Sequence, residues 1–271
     1  MQLPFLNMRA AGNRILVADA RSLDRAPPAA ENVRELAQEQ GFDQLMWVTS
    51  PPDPDDDAAY RVFNADGSEV EQCGNGIRCV AWMLARDAVE AEAFRLSSPA
   101  GPIEARPAGG GDFTVNMGPP VFEPAAIPFA ADEEARTYAI EVDGRTIDIA
   151  AVSMGNPHCV VLVDDINSGV VEELGPKLER HPGFPSATNV GFASVRGRDS
   201  IDLRVHERGV GETLACGTGA CAAVVAAQRL ELVDDPVTVH LPGGQLVVSW
   251  RRDTVWLTGG AELVSQGSMN I

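Results

Sequence analysis

The stretch RVFNADGSEVEQCGNG at 61–76 aligns without a gap on RVHERGVGETLACGTG at 204–219. Arg61, Val62, Glu69, Cys73, Gly74 and Gly76 fall on Arg204, Val205, Glu212, Cys216, Gly217 and Gly219, all at one offset of 143 (216 against 73). Outside that window, Gly12 and Asn13 meet Gly155 and Asn156, and Pro99 and Gly101 meet Pro242 and Gly244. Matches of glycine and asparagine are cheap singly. Several in one order at one spacing mark a duplication, and a duplicated chain must fold as two copies of one plan.

Each copy opens with β-type residues (15–19 and 159–163) and continues with a strand (60–63 and 201–206) that runs through a turn to the CGxG stretch. A helix over 76–86 or 219–230 follows, then a strand, a Gly/Pro turn and another strand. The second helix, with Ala220 to Ala227 apolar on every side, has no face suited to water, so a sheet must wrap it. The Pro-rich, acidic run at 117–135 reads as the crossover between halves, and 49–57 and 108–112 read as exposed loops.

A cysteine therefore stands twice at the mouth of a buried helix. There the unpaired N–H groups and the positive end of the helix dipole favour a thiolate, which predicts a lowered pKa. The glycines beside it let those N–H groups close on a carboxylate. If a pseudo-twofold brings the two mouths across one cleft, a carboxylate held by both leaves its α-carbon between two thiols. One thiolate then removes the α-proton while the other thiol protonates the opposite face, a stereoinversion without metal or covalent attack. Cys73/Cys79 and Cys216/Cys221 also make four thiols for a structural zinc. Their gaps of five and four intervening residues differ, however, and the second cysteines are not repeat mates. Cys79, Cys159 and Cys221 thus read as packing residues, and no metal is expected.

A formal net charge of −18 without a Lys/Arg cluster disfavours nucleic acid and anionic membranes. No apolar run approaches the ~20 residues that span a bilayer. The start, MQLPFLNMRAAGNR, lacks the pattern of a secretion signal, and five cysteines are an odd count, so a cytoplasmic protein with reduced thiols is expected. The only lysine, Lys177 in LGPKLER, has no strand or glycine cradle, which argues against pyridoxal chemistry. No cofactor is expected.

At GFDQL (41–45), FNADGSEVEQCGNGIRC (63–79), VNMGPP (115–120), VSMGNPHCV (152–160), ATNVGF (187–192) and ERGVGETLACGTGACAA (207–223), the chain resembles the diaminopimelate epimerase family. The resemblance implies an α+β (α/β) fold of two pseudo-twofold-related domains, each a rolled, mainly antiparallel sheet around a central apolar helix. The boundaries expected are 1–117 plus 262–271 for the first domain and 118–261 for the second. It implies cofactor-independent epimerisation of LL-2,6-diaminopimelate to the meso form, in lysine and peptidoglycan-precursor synthesis. Cys73 and Cys216 would be the acid/base thiols, tuned by His158 and Glu207. Gly74, Asn75, Gly217 and Thr218 would hold the reacting carboxylate. Asn13, Gln44, Asn64, Asn156, Asn189, Glu207 and Arg208 would line the substrate pocket, with Arg208 on the distal carboxylate. The alternatives are a related histidine- or proline-type racemase, or a non-catalytic binder of small anions.

The chain departs from the family pattern at Arg9–Arg14, where RAAGNR replaces the usual His-Gly-Leu-Gly-Asn and an acidic residue. A second departure lies just before Gly41, where LAQEQ lacks the usual basic and glycine residues. A third is Ser265, where an aromatic that packs across a dimer is common, so a homodimer is left open. His181, His206 and His240 read as bystanders.

Overall fold

The 143-residue offset persists element by element. The structure, a computed structural model, describes residues 2–23, 26–70 and 72–270. The first half runs β1 (Gln2–Ala10), β2 (Asn13–Asp19), α1 (Ala30–Gln40), β3 (Gln44–Thr49), β4 (Ala58–Asn64), β5 (Glu69–Val70), α2 (Gly74–Asp87), β6 (Phe94–Ser98), β7 (Gly101–Gly109) and β8 (Asp112–Asn116). After a 3-10 turn at Pro124–Ala126, the second runs β9 (Tyr138–Val142), β10 (Arg145–Ser153), β11 (Pro157–Leu162), α3 (Val170–Glu179), β12 (Asn189–Gly197), β13 (Ser200–Glu207), β14 (Gly211–Thr213), α4 (Gly217–Arg229), β15 (Val237–Leu241), β16 (Gly244–Arg251) and β17 (Thr254–Gly260). A last strand, β18 (Glu262–Asn270), ends the chain. Shifting β1 by the offset lands on β10, and shifting β6 lands on β15, with both ends in register.

The chain divides into two compact units, Met1–Asn116 with Thr258–Ile271, and Met117–Leu257. In the first, β18–β1, β1–β2, β3–β4, β4–β5, β6–β7 and β7–β8 pair antiparallel, while β2–β3 and β4–β6 are parallel. The second repeats this pattern: β9–β10, β10–β11, β12–β13, β13–β14 and β15–β16 are antiparallel, and β11–β12 and β13–β15 parallel. The sheets are mixed α/β and mainly antiparallel, as expected. β18 takes beside β1 the place that β9 takes beside β10. Ser265 there accepts a hydrogen bond from Asn7 Nδ2 at 3.1 Å, beside the β-bulge of this pair.

Each central helix is wrapped by its own strands: α2 by β1, β2, β3, β7 and β8, and α4 by β10 to β13, β15 and β16. Every residue of α4 from 219 to 227 is buried. Its side chains are alanines, valines and one cysteine, which fill a narrow sheet interior at native density. α2 departs from an all-apolar helix at Arg78, which is fully buried. Its Nη2 donates to Asn75 Oδ1 at 2.7 Å, and Nη1 and Nε reach the carbonyls of Gly74 and Gly260 at 3.4 Å. The helices α1 and α3 have no counterpart in the coarse sequence plan. They are short and amphipathic, and α1 buries only Val33. No helix among the described residues is long and apolar enough to cross a membrane.

Repeat mates also keep their contacts. Arg61 grips both carboxylate oxygens of Glu69, and Arg204 grips both of Glu212. Each pair ties the two strands of the hairpin that leads into a cysteine.

Gly76 is fixed by packing. A Cβ there would land on Sδ of Met46, with Cγ and Cε of the same fully buried side chain at 3.0 and 3.1 Å. Alanine gains about 1 kcal/mol of helix propensity over glycine, but overpacking a closed core costs about 1–3 kcal/mol. Gly76→Ala is therefore expected to lose net stability, about 1 kcal/mol by urea unfolding. An unchanged or raised midpoint would show that Met46 moves freely.

Candidate active site

In the first unit, Cys73 is the N-cap of α2, with φ −145° and ψ 103°. Extended backbone at that position turns the side chain back over the first helical turn, as it does for a serine cap. Its Sγ accepts the Gly76 N–H at 3.2 Å and donates to Gln44 Oε1 at 2.7 Å. Gln44 opens β3 and stands in register with Asn64, which closes β4. Gln44 Nε2 donates to Asn64 Oδ1 at 3.1 Å, and Asn64 Nδ2 donates to Ser68 Oγ at 3.0 Å. A hydrogen-bonded chain thus runs from Ser68 to the half-buried thiol. Asn75 is buried, and its Oδ1 accepts from Arg78.

Asn13 opens β2 after a two-residue turn in which Ala11 and Gly12 both have positive φ, 48° and 85°. Arg14, a departure from the family pattern, pairs with Asp43. Its Nη2 and N–H donate to the carboxylate at 2.9 and 2.8 Å, and the Asp43 N–H donates to Arg14 O at 2.8 Å. That pairing holds the residue next to Gln44 against β2, so the altered loop has its own anchor.

In the second unit, Cys216 is the N-cap of α4, with φ −123° and ψ 111°. It lies 3.5 Å from Thr218 Oγ1 and is only 5% exposed. Its thiol hydrogen-bonds Glu207, the repeat mate of Asn64, and Thr213 Oγ1 donates to the same carboxylate. Asn156 Nδ2 donates to Thr218 Oγ1 at 3.4 Å, while its Oδ1 accepts His158 Nε2–H at 2.9 Å. His158 is fully buried, and its Nδ1 has no partner among the described residues. Burial, then the charge of Arg208, pushes its pKa down to about 3, so the ring is neutral. Its partner in this unit is Asn156 rather than a thiol. Asn189 Nδ2 donates to Pro157 O and its Oδ1 accepts the Arg208 N–H, both at 3.0 Å. Arg208 is exposed and its Nη1 donates to Ser186 O at 3.2 Å.

The expected lowering of the thiol pKa does not hold for Cys216. Burial, followed by the Glu207 charge, pushes it well above the usual thiol value, and hydrogen bonds from Thr218 and the Gly219 N–H do not offset this. Glu207 is pushed up as well, chiefly by burial. Desolvation outweighs the helix dipole here because the residue is almost wholly removed from water. The two units thereby differ: a neutral amide stands at the Cys73 thiol, and a carboxylate at the Cys216 thiol.

The whole chain is similar to the diaminopimelate epimerase of Pseudomonas entomophila strain L48, at 48% identity over 276 residues and 100% of both chains. The enzyme of Pseudomonas savastanoi pv. phaseolicola is equally similar, 48% over 276 residues and 100% of both. The family model described as diaminopimelate epimerase matches 5–123 and 150–264. The chain belongs to the diaminopimelate epimerase family. A crystal structure of a phenazine biosynthesis protein of the PhzF family from Enterococcus faecalis superposes with a TM-score of 0.71 over 100% of both chains, at 16% identity, which speaks for the fold. Every motif residue read from the sequence lies at a helix N-terminus, a strand end or an adjoining turn within its own unit. Glu179 and Thr213 escaped the sequence reading, and His206 was set aside as a bystander. The signal for His206 was its place immediately before the Glu-Arg-Gly turn.

Three cysteines, Cys79, Cys159 and Cys216, have thiol pKa values raised by full burial, that of Cys79 to about 12. Unfolded cysteine titrates near ~8.5. Above that pH the unfolded chain has lost a proton that each buried thiol keeps. Their contribution is therefore complete below ~8.5 and falls as pH rises, by up to about 1.4 kcal/mol per pH unit for each thiol. Urea midpoints are expected to drop steeply between about pH 9 and 10, less so in Cys79→Ala. A flat profile would mean that the thiols ionise inside the fold.

Proposed function

We propose that this chain converts LL-diaminopimelate to meso-diaminopimelate by passing protons through Cys73 and Cys216. The observation that carries the reading is the cysteine N-cap repeated at one offset, each followed by helix-terminal N–H groups. Those groups, at Gly74, Asn75, Gly217 and Thr218, hold the α-carboxylate and stabilise the negative charge that develops on it when the α-proton leaves. The thiolate of one cysteine takes that proton, and the S–H of the other delivers its own to the opposite face of the same carbon. The two cysteines thereby exchange protonation states, and the reverse reaction restores them. Burial and Glu207 favour the S–H form of Cys216, which suits it to donate in the resting enzyme.

Arg208 provides a two-pronged grip for the distal carboxylate, and the amides of Asn13, Asn64, Asn156 and Asn189 surround the rest of a polar, zwitterionic substrate. His158, neutral and with a free lone pair at Nδ1, keeps Asn156 oriented toward Thr218. The reading includes a cytoplasmic location, which fits five cysteines outside any disulfide. Enzyme stripped of metal and pyridoxal compounds should turn over LL-diaminopimelate at the untreated rate. Loss of turnover with a chelator or a carbonyl-trapping reagent would refute this mechanism.

A further inference from the structure

We propose that Glu179 is a positioning residue that sets the Arg208 turn for substrate, acting from the end of α3 through Gly209 and His206. The inference rests on the assignment of Arg208 to the distal carboxylate. Glu179 is 5% exposed, and a carboxylate is rarely left so buried without fixed partners. Its Oε1 accepts the Gly209 N–H at 2.9 Å, and its Oε2 lies 3.0 Å from His206 Nε2. These two partners flank the Glu207–Arg208 pair on either side. Its backbone O accepts the Thr188 N–H at 3.0 Å, one residue before Asn189, whose side chain accepts the Arg208 N–H. One residue thus ties together both segments that meet at Arg208.

The turn needs such a tie. Gly209 and Gly211 have positive φ, 75° and 94°, and Arg208, Gly209 and Val210 are all exposed. A glycine-hinged, solvent-facing turn has many conformations, and an arginine on it would lose rotamer and backbone freedom on binding. The carboxylate holds the Gly209 amide and so removes most of that freedom beforehand. His206 is itself pinned, since its ring lies 2.9 Å from where a Cβ on Gly175 of α3 would stand.

The test is a double-mutant cycle in KM and kcat for LL-diaminopimelate, using Glu179→Ala, Arg208→Ala and the double variant, with Glu179→Gln and melting curves alongside. A misplaced arginine weakens binding before and during the reaction alike. Glu179→Ala should therefore raise KM about tenfold, with kcat within about threefold. Glu179→Gln keeps an acceptor for Gly209 and a partner for His206, so it should restore near-native KM. The double variant should be no worse than Arg208→Ala. An unchanged KM in Glu179→Ala, a double variant showing the full product of both effects, or a failure of glutamine to rescue would overturn the positioning role. If Arg208→Ala itself leaves KM unchanged, the assignment of Arg208 fails, and the inference falls with it.

Discussion

Cys73→Ala and Cys216→Ala are each expected to lose epimerase activity by about 10²- to 10⁴-fold, with folding intact. Each replacement removes the group proposed to serve one face of the α-carbon. At Cys73 the neighbours include the amide of Gln44 and the N–H of Gly76, neither a base at neutral pH. At Cys216 the neighbouring Glu207 points a carboxylate at the cavity left behind, which allows a small residual rate. The control pair is Cys79→Ala and Cys221→Ala. Both residues are fully buried inside their helices, and their loss should cost about 1 kcal/mol of stability without touching turnover. Rates and urea midpoints measured on all four variants separate the two classes. A well-folded but inactive Cys221→Ala would end the assignment of the thiols.

The second large effect is expected at Arg208. Arg208→Lys keeps the charge but cannot reproduce a two-pronged bond to a carboxylate, so kcat/KM should fall about 30- to 1000-fold, equivalent to about 2–4 kcal/mol. The loss should appear with diaminopimelate and be far smaller with an amino acid that lacks a distal carboxylate, such as lysine, which the native enzyme is expected to ignore. Comparing both substrates on both proteins reads this directly. Native enzyme that epimerises lysine as well as diaminopimelate would make the chain a broad racemase, and the anchored Arg14–Asp43 turn would be the first place to look.

What could be read from the sequence followed what the duplication repeats. The strands, the buried helices and both cysteine caps appear twice, so small signals reinforced one another. Features present in only one copy stayed hidden. β18 completes the first sheet from the far end of the chain; the family resemblance placed 262–271 with the first domain, but no local pattern announces a pairing of Gln2 with Asn270. The α1 helix buries only Val33, α3 carries a proline inside it, and their ends drift against the offset, so periodicity shows them weakly. The raised pKa of Cys216 was equally invisible. The helix N-terminus is legible in CGTG, whereas the depth of burial and the contact with Glu207 arise only on folding. Glu179 drew no reading from the sequence, where α3 itself was not foreseen. Its partners, Gly209 and His206, lie about thirty positions away.

The central claim is that two different cysteines exchange protons with the two faces of one carbon. It is tested most directly by running the native enzyme from LL-diaminopimelate in deuterated water and locating the label at low conversion. The account predicts that newly formed meso product carries deuterium at the inverted carbon, delivered by an exchanged S–D group, while recovered LL substrate still carries hydrogen. Meso product that retains the original hydrogen, or substrate that gains deuterium as fast as product forms, would mean that a single base serves both faces, and would contradict it.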